Sequence, residues 1–84
     1  MKFAVVFSVS HLLGDFNQAK SLASRIYQYA GVEKVFVGNA VAIVIFNASN
    51  REAVDVFAQF VGLTPLEVWE VLWETDAQGQ LVSV

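Results

Sequence analysis

Two stretches of this chain are apolar on both sides of a strand. In "KFAVVFSV", residues 2 to 9, alternation sets Phe3, Val5, Phe7 and Val9 on one face against Ala4, Val6 and Ser8 on the other. In "AVAIVIF", residues 40 to 46, Ala42, Val44 and Phe46 oppose Val41, Ile43 and Ile45. A sheet with one face in water alternates apolar with polar residues, so two apolar faces demand two covers. Helices of the same chain supply one. The simplest second cover is another copy, through an interface of the usual size of about 800 Å² per partner.

The helices are marked by their caps. In "GDFNQ", Asp15 caps a helix start with Gln18 reaching back from the third helical position, and Ala19, Leu22, Ala23, Ile26, Tyr27 and Ala30 recur at helical spacing until Gly31 ends the run. "EKVFV", the break "GN" and "AVAIVIF" describe an antiparallel hairpin. "SNRE" reads as a capping box of Ser49 with Glu52, opening a second helix with an apolar stripe of Ala53, Val54, Phe57, Phe60 and Val61 before Gly62.

The segment "TPLEVWEVLWET", residues 64 to 75, supports two readings. As a helix it has Thr64 as N-cap, Pro65 in the first position and Glu67 completing a capping box, with Glu67, Glu70 and Glu74 along one face. As a strand it places Trp69, Val71 and Trp73 on one face and Val68, Glu70 and Leu72 on the other, in the residue types that suit a pleated surface. The strand reading closes the fold. It predicts an α+β protein of ferredoxin-like βαββαβ order, with a four-stranded antiparallel sheet and two helices on one face. Phe3, Val5, Phe7, Val44, Phe46, Trp69, Val71 and Trp73 are then expected to form the seam with a second copy. The tail "DAQGQLVSV" turns at Gly79 and is expected to form a closing hairpin or an arm laid on a partner.

Element order, a sheet apolar on both faces, the opening "MKFAVVFSV" and the closing "LEVWEVL" after a helix together resemble the dimeric α/β-barrel (ferredoxin-like) superfamily, especially its small members of unknown function. The resemblance spans most of the chain and rests on pattern. It implies a dimer with a pocket between helices and sheet, and no particular reaction.

Composition narrows the function. With 84 residues the chain is expected to be one ferredoxin-like domain, 1–84, and at 56% hydrophobic and 15% charged it is more apolar than a small monomer needs. There is no cysteine, and the one histidine is His11, so neither a disulfide nor a zinc site of the usual His and Cys ligands is expected. The longest apolar run is about a third of a membrane span, and the N-terminus alternates like a strand without a cleavage signal, so a cytoplasmic protein with no membrane partner is expected. The net charge of −3 is divided unevenly: five basic and two acidic residues up to Arg51, then six acidic and none basic. That balance argues against a nucleic-acid backbone as partner; the asymmetry reads first as solvated surface charge and second as a basis for head-to-tail contact between copies.

Ser8, Ser10, His11 and Asp15 supply the residue types of a hydrolytic triad, yet adjacent residues such as Ser10 and His11 rarely face each other. Glu67, Glu70, Glu74 and Asp76 read as solvated charge, and "VFVGNA" imitates an RNA-recognition signature at Phe36 without its basic-aromatic partner. No catalytic residue, metal or cofactor is therefore expected. The leading expectation is a homodimeric module with a structural or regulatory role through protein contact. The alternative is a dimeric barrel enzyme or binding protein for a small apolar or aromatic molecule, lined by His11, Tyr27, Asn47 and Trp69. RNA binding is the weaker alternative.

Overall fold

The computed structural model describes residues 1–84. Strand β1 (Lys2–Ser8) leads through a short 3-10 turn (Ser10–Leu12) to helix α1 (Phe16–Tyr27), and β2 (Val32–Val37) and β3 (Val41–Asn47) form a hairpin. Helix α2 (Glu52–Val61) precedes β4 (Pro65–Glu70), and two short strands, β5 (Trp73–Thr75) and β6 (Leu81–Ser83), end the chain. The first four strands make an antiparallel sheet in the order β2-β3-β1-β4, and β5 pairs only with β6. This is an α+β fold, compatible with the ferredoxin-like expectation. Residues 65–70 and 73–75 are strand, with a break at 71 and 72, and none of the segment is helical.

Both helices pack on the same face of the sheet. One buried cluster joins Phe3, Val5 and Phe7 of β1 and Val44 and Phe46 of β3 to Ile26 of α1 and to Val54, Phe57, Ala58 and Val61 of α2. Phe46 stacks on Phe57 with ring centroids 4.5 Å apart and planes at 16°, and Phe7 meets Phe57 edge-on at 6.1 Å. Burying each such side chain contributes roughly 1.5–3 kcal/mol, so this layer is the main source of stability. A smaller cluster of Val9, Leu12 and Ala42 closes one end.

This packing corrects the expected seam. Phe3, Val5, Phe7, Val44 and Phe46 lie under the helices and are unavailable to a second copy. Trp69 does belong to the other face, but β4 ends at Glu70, so Trp69 and Trp73 sit in different sheets and do not share one strand face with Val71. The amide of Val71 still donates to the carbonyl of Lys2 at 2.8 Å, which makes this the last rung beside β1 before the chain leaves the sheet.

Local chemistry explains the element ends. Asp15 accepts from the amide of Gln18 at 2.9 Å, as its capping role requires. Helix α1 stops at Tyr27 rather than running to Gly31, and Tyr29 turns inward against Phe46, Phe57 and Phe60 with centroids 5.0 to 5.7 Å away. Gly31 has φ +98° and lies so close to β3 that a Cβ would overlap the carbonyl oxygen of Asn47. The β2–β3 turn is centred on Asn39 and Ala40, closed by the amide of Gly38 donating to the carbonyl of Val41 at 2.8 Å. At α2 the expected Ser49–Glu52 box does not form. Asn50 Oδ1 accepts from the amide of Ala53 at 3.0 Å, and Gly62 in the left-handed region ends the helix.

Candidate functional site

The sheet face away from the helices has no cover within the protomer. Strand register places Ala4, Val6 and Ser8 of β1 on it, beside Ile45, Ile43 and Val41 of β3. Lys34 and Phe36 of β2 flank Ile45 and Ile43, while Trp69 and Glu67 of β4 flank Ala4 and Val6. Ala4 is fully shielded by its larger neighbours, whereas Phe36 is 53% and Trp69 51% exposed. The middle of the face is thus a continuous apolar surface from one edge strand to the other, with charge at its margin.

One end of this face carries an ion cluster. Lys2 Nζ lies 2.6 Å from Glu74 Oε1 and 3.1 Å from Glu33 Oε2, and its side chain is only 12% exposed. The Asn47 amide donates to Glu33 Oε2 at 3.1 Å. Hydrogen bonds to Glu74 and then Glu33 hold the Lys2 ammonium above its ordinary range. The Asn47 hydrogen bond, followed by that of Lys2, holds the Glu33 carboxyl below its ordinary range. Because Glu74 belongs to β5, the cluster fastens the terminal hairpin to the sheet. These partners are 31 and 72 residues apart, so no local pattern could have revealed them.

The four residues expected to line a pocket do not converge. His11 is exposed in the 3-10 turn beyond the end of β1, over a shallow depression shared with Ser21, Leu22 and Arg25. Asn47 pairs with Lys2 at the opposite end of that strand, about 20 Å away at strand rise. Tyr27 closes the last turn of α1, where its hydroxyl accepts from the amide of Val35 at 3.0 Å. That bond occupies an outward amide of edge strand β2 and so blunts the edge. Trp69 shares the open face with Asn47 but stands two strands away. Ser8 and Ser10 do meet, Oγ to Oγ at 3.3 Å, with no imidazole bonded to either.

A second apolar area lies along the start of α1, where Phe16, Ala19 and Ala23 form a groove with Val37. Its one polar lining residue is Lys20, too few groups to orient a ligand. No helix is long and apolar enough to cross a membrane. No protein-family model, curated protein or solved structure matches this chain.

Proposed function

We propose that the chain is the protomer of a small homodimer of the dimeric α/β-barrel (ferredoxin-like) type, with a structural or regulatory role exercised through protein contact. The βαββαβ reading is supported by the way each helix joins two strands that lie either side of a third: α1 links β1 to β2 around β3, and α2 links β3 to β4 around β1. The observation that carries the function is the open face, on which Val6, Ile43, Ile45, Phe36 and Trp69 form one apolar surface. A patch of this kind on a small protein marks an interaction site.

A second copy suits it better than a nucleic acid. Phe36 with Lys34 nearby offers a stacking surface for a base, but Glu33 adjoins them on β2, Glu67 stands on the opposite edge and Glu74 at the Lys2 end, and these carboxylates repel phosphate. Face-to-face packing of two such sheets places side chains of both inner faces in a shared layer.

The test is a carboxylate at the centre of the face. Ile43→Asp should convert a dimer into a monomer in sedimentation velocity while leaving the far-ultraviolet circular dichroism unchanged. A variant that sediments like the wild type would remove the open face from the interface.

A further inference from the structure

The hairpin of β5 and β6 is out of place in a protomer that stands alone. It adds no residue to either buried cluster, and Leu72, Trp73, Leu81, Val82 and Val84 are all about half exposed or more. An isolated two-stranded ribbon is marginal in water, yet this one leaves Trp73, Leu81 and Val82 half exposed or more. Pairing of Trp73 with Ser83 and Thr75 with Leu81 puts Trp73 and Leu81 on one side. Glu74 and Val82 share the other, and Glu74 is bound to Lys2 of its own sheet. The Trp73 side is therefore the one left for an outside contact.

Area and charge say what that contact is, given the dimer proposed above. Four strands about 20 Å long and about 4.8 Å apart give the open sheet a flat footprint of about 400 Å². A stable pair buries about 800 Å² of accessible surface per partner, and the exposed apolar side of the neighbouring arm adds to what the sheet face supplies. Charge then selects the direction of the two-fold axis. An axis across the strands lays β4 on β4 and sets Glu67 against its own copy. An axis along the strands lays β4 of one copy over β2 of the other, where Lys34 has no carboxylate partner and rests 5.9 Å from the ring of Phe36. From Glu67 to Asp76 the chain carries four carboxylates and no base, which complements that lysine.

We infer that the terminal hairpin is an exchanged arm: Trp73 and Leu81 of one copy pack on the β2 side of the second copy's open sheet, and the acidic segment 67–76 flanks that copy's Lys34. The Lys2–Glu74 contact sets the angle at which the arm leaves its own sheet. The interface is isologous, so two arms close the pair and no open chain of subunits forms.

The experiment is an isotope-filtered NOE spectrum of the full chain, mixing labelled with unlabelled protein. Cross-peaks from the Trp73 indole and Leu81 methyls to the Lys34 side chain of the other copy are expected. A dimer whose intermolecular contacts come from Val6, Ile43 and Ile45 with none from the arm would overturn the exchange and leave the open-face dimer standing. A monomer would overturn both. Since arm residues are exposed in the protomer, Leu81→Asp should weaken the dimer about tenfold or more without unfolding it. Lys34→Glu should also weaken it, and adding Glu67→Lys should recover affinity; no recovery would overturn the axis along the strands.

Discussion

Lys2 Nζ sits 2.6 Å from Glu74 Oε1, so the first residue of the first strand holds the β5–β6 hairpin, the last element in sequence order. The contact reaches across 72 positions of sequence and connects the open face to an arm that otherwise touches the body little. Glu74→Gln should therefore loosen the arm rather than the fold. Backbone order parameters for residues 73 to 83 in the monomeric Ile43→Asp background are expected to fall from about 0.85 towards 0.6, with no change in the sheet. Order parameters that do not move would show that the ion pair fails to hold the arm.

Glu33 provides a pH prediction. Its carboxyl titrates below the ordinary 4.5 because the Asn47 amide and then the Lys2 ammonium bond to its charged form. A folded-state value lower than the unfolded one contributes stability that is present above the unfolded value and lost as pH falls through the folded one. A carbon-13 titration should place the Glu33 midpoint below 4.5, and Asn47→Ala should raise it. A midpoint at or above 4.5 in the wild type would contradict the cluster.

Phe57 is the centre of the aromatic layer, stacked on Phe46 and touched by Phe7 and Tyr29. Replacing it with alanine leaves a cavity between α2 and the sheet, and a loss of about 3–5 kcal/mol is expected in denaturant unfolding. That is a large share of the roughly 5–15 kcal/mol that holds a domain together. A loss below about 1 kcal/mol would mean that the layer is not the main support.

Gly31 and Gly14 form a paired test of backbone conformation. Both have positive φ, but a Cβ at Gly14 meets open space while one at Gly31 overlaps the Asn47 carbonyl. Gly14→Ala should cost about 1 kcal/mol, and Gly31→Ala clearly more, because the β2 start must move away from β3. Equal losses in thermal unfolding would refute the close approach.

Much of this architecture can be read from periodicity. The alternation in residues 2 to 9 and 40 to 46, the Asp15 cap and the stop at Gly62 are local signals, and the structure has β1, β3, α1 and α2 there. Which face of β1 and β3 meets the helices was harder, because both are apolar. The distinguishing signal was the polar remainder: Lys2, Ser8, Lys34 and Asn47 all belong to the open side, while Phe3, Val5 and Phe7 are unbroken. The break between β4 and β5 had no such signal. "EVLW" alternates smoothly without glycine or proline, and only the bond from Val71 to Lys2 and the pairing of β5 with β6 reveal where the strand ends. The pocket of His11, Tyr27, Asn47 and Trp69 could not be judged at all without tertiary positions, since it joined opposite ends of one strand.

The central claim is that the open face is covered by a second copy, and the molar mass in solution tests it most directly. Light scattering across a dilution series should return twice the 9.2 kDa chain mass at high concentration, falling only as the pair dissociates. A mass of 9.2 kDa at every concentration would contradict the dimer and leave the apolar face of Val6, Ile43, Ile45, Phe36 and Trp69 without the partner assigned to it.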